Sequence, residues 1–487
     1  MQAKAITAEP PDREWRPSLG MRPAIVAGLA ALVAIAVQSL WIPIDADVSW
    51  LITVSERVLA GDRLYVDIFE VNPPASVWLY LPLVWLAQLI GARPEAIVAA
   101  GFVAAALGSV FATLRLASRL DHAPHPSWLA GVVGFIALVL PMALFAQREH
   151  AALLLAFPAL TALAIIADGK PLDRRTLYAA GLAAGLVIVI KPYFLFPIIA
   201  PALWVAIKRR SFVPLLPAIA AAATAIGVYA IAVLVLARAY LDYLPVIART
   251  YAPMHDELWK VAIGPTLYPA ICLGLALLLR ASRIPSIAAV WALGSVGFLL
   301  AAYAQAKNYP NHWLPGGALA LAAAAAMLTL PRIAPARRVA VGIGLAVVAL
   351  SEMYHWAIRP DAAEAAIIER VAPPAPKIIA LSPQLTTGHP VTRNVGGQWV
   401  GSRAGLFTAA GARLVGLDDP LALQSYREDS KSFATAVQRH VPDVILVHRR
   451  TKSWLISEPG IARAMSAYRF EAGANDTEIW LRRNARR

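Results

Sequence analysis

The chain has 487 residues, of which 59% are hydrophobic and only 15% are charged, and its mean hydropathy is +0.60. These values exclude an ordinary soluble domain and indicate a mainly α-helical, polytopic membrane protein. The net charge of +14 does not indicate nucleic-acid binding, because the basic residues cluster in short loops, as topology signals do.

The N-terminal part of the sequence predicts a cytoplasmic tail, residues 1–21, and a first membrane span at about 22–42. The apolar run of this predicted span is too long for the core of a cleaved signal peptide, and it lacks a small-residue cleavage site. Arg13, Arg16 and Arg22 precede the span, so the N-terminus is expected inside the cell and residues 43–74 outside.

The loop 43–74 is the densest acidic run in the N-terminal half, with Asp45, Asp47, Glu56, Asp62, Asp67 and Glu70. Apolar residues at helical spacing predict a short helix over 47–59 that lies on the bilayer surface, with Asp47 as its N-cap and Gly61 just beyond its end. Carboxylates held beside a membrane favour a functional role for Asp45 and Asp47, whereas Glu56 and Asp62 are expected on the solvated face of the helix.

Later apolar runs predict further membrane helices, about 11 crossings in all. The longer runs lie at about 128–146, 149–167, 213–237, 263–280, 285–304, 312–330 and 338–356. Between 74 and 119 the charge pattern requires an odd number of crossings, yet two runs are visible, so one is expected to be a short surface or re-entrant helix. The runs 177–190 and 193–207 predict a shallow hairpin with Lys191 at its outer tip, where an unpaired charge is usually functional.

A polar cluster at 147–150 separates two apolar spans with almost no loop. Arg148 is suited to binding a phosphate, and Glu149 is suited to binding a metal or to fixing Arg148. For His150, an ion pair at the helix end is as good an interpretation as any functional role.

A second cluster, 307–313, lies at another predicted outer boundary. Lys307 is a good point charge for phosphate and His312 can donate to it, whereas the neighbouring aromatic residues fit interfacial anchoring better. The loop 239–262 fits either a substrate gate or a plain solvated connection.

The composition changes after residue 356, and residues 357–487 predict a small soluble α/β domain on the outer side. Strands are predicted at 377–382, 413–417, 443–448 and 478–483, and helices near 429–440 and 459–467. His389, Arg393, Asn394, Trp399 and Arg403 are interpreted as surface residues of this domain rather than as contacts to an acceptor. The sequence shows no phosphate-binding loop, zinc spacing or repeat.

Taken in chain order, several features resemble the GT-C membrane glycosyltransferases. They are the acidic first loop with Asp47 and Gly61, the segment 65–74, the pair Arg148-Glu149, and Lys307 followed by His312 and Pro315. The branch is that of the bacterial relatives of protein O-mannosyltransferases and of the lipid A aminoarabinose transferase, and the likeness covers residues 22–356.

The resemblance implies a GT-C-like membrane domain and a donor sugar linked to a polyprenyl phosphate. It also implies that Asp47 is the catalytic base. Many members have glutamate directly after that aspartate, where this chain has Val48, so either the second acid is dispensable or Asp45 replaces it. Glu149 falls where members carry another acid. Branches differ in their use of a divalent ion, so Mg²⁺ or Mn²⁺ bound by Asp47 and Glu149 is left open.

Transfer from a lipid-phosphate sugar needs a base for the acceptor hydroxyl and cations for the departing phosphate. Asp47 or Asp45 supplies the base. The residues expected to bind the donor phosphate or sugar are Arg148, Glu149, Lys191, Lys307, His312, Glu70 and Tyr65.

The sequence therefore predicts a glycosyltransferase of the cytoplasmic (inner) membrane, with the C-terminal domain in the periplasm and a lipid, a glycan or a protein as acceptor. The alternative is a transporter or lipid flippase, but such proteins tend to show repeated halves and substrate-binding groups near the bilayer midplane. A third interpretation is a scaffold subunit without activity. Consumption of a lipid-linked donor distinguishes the three.

Overall fold

The computed structural model describes residues 44–357 and 361–483. The predicted N-terminal tail and first span lie outside the described residues. The helices before the C-terminal domain are α1 (Ala46–Leu59), α2 (Ala75–Trp78), α3 (Leu81–Ile90), α4 (Pro94–Ala117), α5 (Pro126–Leu138), α6 (Arg148–Ala167), α7 (Arg174–Ile190), α8 (Phe196–Arg209), α9 (Leu216–Leu236), α10 (Ala239–Val246), α11 (Leu258–Leu277), α12 (Ser286–Gln305), α13 (Pro310–Met327) and α14 (Pro335–Trp356).

Among the described residues, five helices are long and apolar enough to cross a membrane: α4, α6, α9 with the turn before it, α11 and α12. The chain is thus a membrane protein. α6 is the most enclosed of the five, because most of its side chains are buried against neighbouring helices on all sides. The total of about 11 crossings stays a prediction.

Two pairs of helices correspond to the short apolar runs of the sequence, one pair between residues 74 and 119 and the other on either side of Lys191. α3 has ten residues and a length of about 15 Å, half of what the hydrocarbon core requires, whereas α4 has 24 residues. Between residues 74 and 119 the structure thus has one helix of spanning length, α4, beside a shorter apolar stretch over 75–90, and the number of crossings there stays a prediction. α7 and α8 are joined at Lys191 by a short 3₁₀ turn, as the predicted hairpin requires, but α7 packs mainly on α6 and α9, and α8 mainly on α6 and α12.

Polar side chains join the helix ends at the side opposite Lys191. Lys208 contacts Asp168 at 3.5 Å and Ser286 at 2.7 Å, which links the ends of α6 and α8 to the start of α12. Arg119 lies 3.7 Å from Asp173, beyond the end of α4. We call this set of helix ends the basic rim, because it carries the predicted inside loops.

The C-terminal domain contains a five-stranded sheet in the order β2-β1-β3-β5-β4. Its strands are β1 (Lys377–Leu381), β2 (Gln398–Trp399), β3 (Val444–His448), β4 (Tyr468–Ala474) and β5 (Thr477–Arg482). Its helices are α15 (Ala362–Val371), α16 (Val391–Asn394), α17 (Phe407–Val415), α18 (Pro420–His440), α19 (Lys452–Ile456) and α20 (Pro459–Met465). β1 pairs in parallel with β2 and β3, and the other two pairings are antiparallel.

The strand predicted at 413–417 is wrong. Residues 413–415 are the last residues of α17, and Gly416 follows with a φ of 104°, outside the helical region. A short apolar run does not distinguish a strand from a helix end by its periodicity. The helix-forming residues that precede this run continue into it, and the positive φ of Gly416 ends the helix.

The helix α1 differs from its predicted form in two ways. Its N-cap is Asp45 rather than Asp47, because the side chain of Asp45 accepts a hydrogen bond from the backbone N–H of Asp47. It also does not lie open on a surface. Nine of its residues are buried, including Ser49 and Trp50, because α3 and the C-terminal domain cover it from different sides.

The C-terminal domain covers α1 through residues that the sequence placed at a free surface. His389 is fully buried and its Nδ1 lies 3.2 Å from the hydroxyl of Ser49. Arg393 forms two hydrogen bonds with Glu56, of 2.6 and 3.0 Å, so Glu56 is not simply solvated as predicted. Trp399 packs against His389 with ring centroids 4.7 Å apart. This surface of the domain is therefore an internal interface.

Candidate active site

Two aspartates at the start of α1 face the start of α6. The amide nitrogen of Gln147 contacts Asp45 Oδ1 and lies 3.5 Å from Asp47 Oδ2. Arg148 Nη2 lies 3.3 Å from the same Asp47 oxygen, and the Asp47 side chain is 29% exposed while Arg148 is buried. Asp47 thus keeps an accessible carboxylate beside a fixed cation.

Asp45 is held in a different environment from Asp47. Burial raises the pKa of Asp45 to about 7, and the neighbouring charges of Asp47 and Glu149 act in the same direction. Its Oδ1 is already engaged by the backbone of Asp47 and by Gln147. Asp45 therefore caps the N-terminal end of α1, whereas the carboxylate of Asp47 stays partly accessible to solvent.

A buried ion pair lies next to the aspartates. Lys191, at the tip of the α7–α8 hairpin, donates to Glu149 Oε1 at 2.5 Å and to Gln305 Oε1 at 3.0 Å. Its ammonium also lies 3.3 Å from His312 Nε2. Because an ammonium only donates, this nitrogen of His312 is the acceptor, and Nδ1–H points toward the carbonyl of Lys307 at 3.3 Å.

The site brings together helix ends that are distant in sequence. α6 supplies Arg148 and Glu149, the hairpin supplies Lys191, and α13 supplies His312. All of them lie at the end of the helices away from the basic rim. We call this set, with Asp45 and Asp47, the acidic site.

Lys307 is buried at the edge of the site, and its ammonium lies 3.1 Å from the centroid of the Tyr251 ring. No carboxylate of the described residues pairs with it. Burial and the nearby charge of Lys191 lower the pKa of Lys307 to about 7. An ammonium that faces an aromatic ring and no carboxylate is suited to receiving an anion.

Glu70 and Tyr65 lie nearby but are engaged within the first loop. Glu70 is buried and accepts hydrogen bonds from Trp50 Nε1 at 2.5 Å and from the backbone of Asn72 at 2.9 Å. Tyr65 donates its hydroxyl proton to the carbonyl oxygen of Asn72 at 2.5 Å. These contacts shape the loop, and the predicted role of Glu70 and Tyr65 in binding the donor stays a prediction.

A strained turn aims Gln147 and Arg148 into the site. Ala146 has a φ of 66°, which is uncommon for a residue other than glycine. The ring of His150 accepts a hydrogen bond from the backbone N–H of Ala146 at 3.2 Å. The hydroxyl of Tyr80 donates a hydrogen bond to the carbonyl oxygen of Ala146 at 2.6 Å. His150 therefore fixes backbone rather than forming the helix-end ion pair considered from the sequence.

The described residues do not include a group of three side chains arranged to hold a metal ion. Within the predicted pair, Asp47 already faces Arg148, and Glu149 already faces Lys191. The donor set does not fit a divalent cation well, since cationic side chains occupy the neighbourhood of both carboxylates. Binding of Mg²⁺ or Mn²⁺ by Asp47 and Glu149, which the sequence left open, stays open.

Several partners at the site carry no signal in the sequence. Gln305 and Tyr251 are ordinary residues of an apolar helix end and of a loop, and only the packing of distant elements brings them to Lys191 and Lys307. Ser76, 3.4 Å from Arg148 Nη1, is a third example. Charged residues at span boundaries are visible in a sequence, but their neutral partners are not.

No protein-family model and no curated protein matches this sequence. Among solved structures, the chain is similar to ArnT from Cupriavidus metallidurans bound to undecaprenyl phosphate, with a TM-score of 0.54 and 14% identity over 95% of this chain and 98% of ArnT. The apo state of the same protein gives a TM-score of 0.55 and 13% identity, over 94% of this chain and 97% of ArnT.

The chain is also similar to the arabinofuranosyltransferase AftD from Mycobacteria, with a TM-score of 0.49 and 14% identity, over 95% of this chain but only 40% of AftD. The likeness to ArnT extends over nearly the whole of both chains, so it covers the membrane helices and the C-terminal domain together. The protein is a membrane protein with a GT-C-like fold, and the resemblance drawn from the sequence is confirmed at that level.

Proposed function

We propose that the protein is a membrane glycosyltransferase that moves a sugar from a polyprenyl-phosphate donor to an acceptor hydroxyl at the outer face of the cytoplasmic membrane. The observation that carries the proposal is the acidic site itself. An accessible carboxylate, Asp47, lies among buried cations at one end of a GT-C-like helix bundle. ArnT, which shares the fold, is bound to undecaprenyl phosphate in one of its structures.

Asp47 is the proposed general base. Its carboxylate accepts the proton of the acceptor hydroxyl while the hydroxyl oxygen forms a bond to the anomeric carbon of the sugar. The bond between that carbon and the phosphate oxygen breaks, and the polyprenyl phosphate leaves with the electron pair. The proton ends on Asp47 and the negative charge ends on the departing phosphate, so no further reactant is needed.

Arg148, Lys191 and Lys307 are the proposed cations for the departing phosphate. Fixed positive charges stabilise the charge that develops on the leaving group more effectively than water does, because they need no reorganisation. Lys307 is the best placed, since it has no carboxylate partner among the described residues. Lys191 and Arg148 each share their charge with an acid of the site.

The position of the site suits a donor with a lipid tail. In this proposal the donor reaches the site from the bilayer while its phosphate stays at the boundary, and the position of Arg148, Lys191 and Lys307 at helix ends supports it. The proposed acceptor is a hydroxyl of a lipid, a glycan or a protein of the cell envelope.

The first test is donor consumption by the purified protein in nanodiscs, with a panel of polyprenyl-phosphate sugars and acceptors. We expect Asp47→Asn to reduce transfer at least about 100-fold, because a positioned base contributes that much or more. Asp67→Asn is the matched control. Asp67 belongs to the same loop but pairs with the exposed Arg63 at 2.9 Å, so its loss should leave transfer unchanged.

Full activity in Asp47→Asn would remove this residue from the role of base. Movement of the donor lipid across vesicles without consumption would instead support the transporter or flippase.

A further inference from the structure

The segment that carries Tyr251 has unusual backbone geometry. Residues Ile247–Tyr251 form a single π-helical turn directly after α10. π-Helical turns are rare and often occur at functional sites. Thr250, within this turn, is fully buried.

The C-terminal domain packs directly on this turn through α17. A Cβ atom added to Gly411 would lie 1.5 Å from the carbonyl oxygen of Thr250, so the two backbones approach closely and only glycine fits. The ring of Phe407 meets the ring of Tyr251 edge-on, with centroids 6.0 Å apart. Arg249 forms two hydrogen bonds with Asp419, of 2.7 and 3.0 Å, at the start of α18.

The ring of Tyr251 thus contacts one residue of the C-terminal domain and one residue of the acidic-site region. Phe407 of the C-terminal domain contacts one part of its ring, and the ammonium of Lys307 lies over the ring face. Lys307 depends on this contact, because no carboxylate of the described residues holds its ammonium. A displacement of the π-helical turn would therefore move the partner that fixes Lys307.

We propose that the C-terminal domain positions Lys307 for the donor phosphate, by docking α17 on the π-helical turn and thereby fixing the ring of Tyr251. Gly411, Phe407 and Tyr251 are positioning residues in this arrangement, and Lys307 is the group that meets the phosphate. The inference rests on the proposed function, and it gives the C-terminal domain a role in binding the donor that does not require contact with the acceptor.

The test compares two glycines of the same domain. Gly411→Ala brings a methyl group into the Thr250 carbonyl, whereas Gly460→Ala, in α20, meets only the methyl of Ala434 at 3.9 Å. The probe is undecaprenyl phosphate, titrated into the full-length protein in nanodiscs, so the measurement needs no sugar transfer. We expect Gly411→Ala to weaken binding about tenfold and Gly460→Ala to leave it unchanged.

Substitutions at Tyr251 give a second measurement that does not depend on tolerance of the new methyl group. Tyr251→Phe keeps the ring and should bind like the wild type, while Tyr251→Leu removes the ring and should bind about as weakly as Gly411→Ala. Simple loss of folding would lower the number of binding sites rather than the affinity, so the two effects are distinguished in the titration.

Lys307→Ala separates the failure of this inference from the failure of the proposed site. If Lys307→Ala weakens binding but Gly411→Ala and Tyr251→Leu do not, the positioning role of the C-terminal domain is wrong and the phosphate site stands. If Lys307→Ala binds undecaprenyl phosphate like the wild type, Lys307 is not a phosphate ligand, and the proposal falls with that assignment.

Discussion

Asp45 and Lys307 are two ionisable groups of the site with shifted pKa values: that of the acid is raised toward 7, and that of the lysine is lowered toward 7. Burial, reinforced by Asp47, raises the pKa of Asp45 to about 7. Burial, reinforced by the cation Lys191, lowers the pKa of Lys307 to about 7, although Asp256 and Asp47 act against the shift. The free protein is therefore expected to change its charge at this site within the physiological range.

The sign of the Lys307 effect gives a prediction for activity. Only the ammonium attracts phosphate, and its fraction falls as pH rises through about 7, so kcat/KM for the donor should decline above that pH. In Lys307→Arg the decline should move to higher pH, because a guanidinium stays charged. Lys452→Arg, which alters a lysine paired with Glu478 in the C-terminal domain, is the control. If kcat/KM of Lys307→Arg declined at the same pH as that of the wild type, the decline would be caused by the titration of another group.

At the scale of single elements, the first loop shows what a sequence pattern can and cannot give. The apolar spacing and Gly61 correctly placed the helix α1, and the density of acids singled out Asp45 and Asp47. The sequence predicts the N-cap two residues too late, at Asp47, because both aspartates precede the apolar run and only the structure shows that the Asp45 side chain accepts a hydrogen bond from the backbone N–H of Asp47. Burial of α1 under residues of the C-terminal domain more than 300 positions away leaves no local signal.

The contacts of Arg393 give a prediction for this interface. Its guanidinium binds Glu56 of α1 and, through Nε, Glu95 of α4 at 2.6 Å. Arg393→Met leaves both partly buried carboxylates without their cation, so we expect a loss of about 2–3 kcal/mol of stability, seen as earlier thermal unfolding.

Arg450→Met is the control for Arg393. Arg450 pairs with Asp476 at 3.1 Å, but the two side chains are 76% and 53% exposed, so its loss should cost less than about 0.5 kcal/mol. Equal unfolding temperatures in the two variants would show that Arg393 contributes no more than a surface pair.

At the scale of the whole molecule, the two ends of the helix bundle differ in character. The basic rim carries the short loops with Arg115, Arg119, Arg174, Arg175, Lys208 and Arg209. The other end carries the acidic site and the C-terminal domain. Helix lengths and loop charges predicted this separation, but not that α6, α13 and the α7–α8 hairpin would bring their ends to the same site, since that depends on packing between distant segments.

The orientation of this arrangement in the membrane is a prediction that two exposed serines can test. Positive loops stay in the cytoplasm, so the basic rim is expected inside and the acidic site outside. Ser118 follows α4 at the basic rim, and Ser466 follows α20 in the C-terminal domain, and both are exposed. The single native cysteine, Cys272, is buried and can be replaced by alanine to give a cysteine-free background.

In intact spheroplasts, a membrane-impermeant thiol reagent should label Ser466→Cys and leave Ser118→Cys unlabelled. After the membrane is opened, both should react, which controls for accessibility of the introduced thiols. The reverse pattern in intact spheroplasts would place the acidic site on the cytoplasmic face. Asp47 and Lys307 would then meet only a lipid-phosphate sugar in the inner leaflet, and the proposed acceptor would have to be a cytoplasmic one.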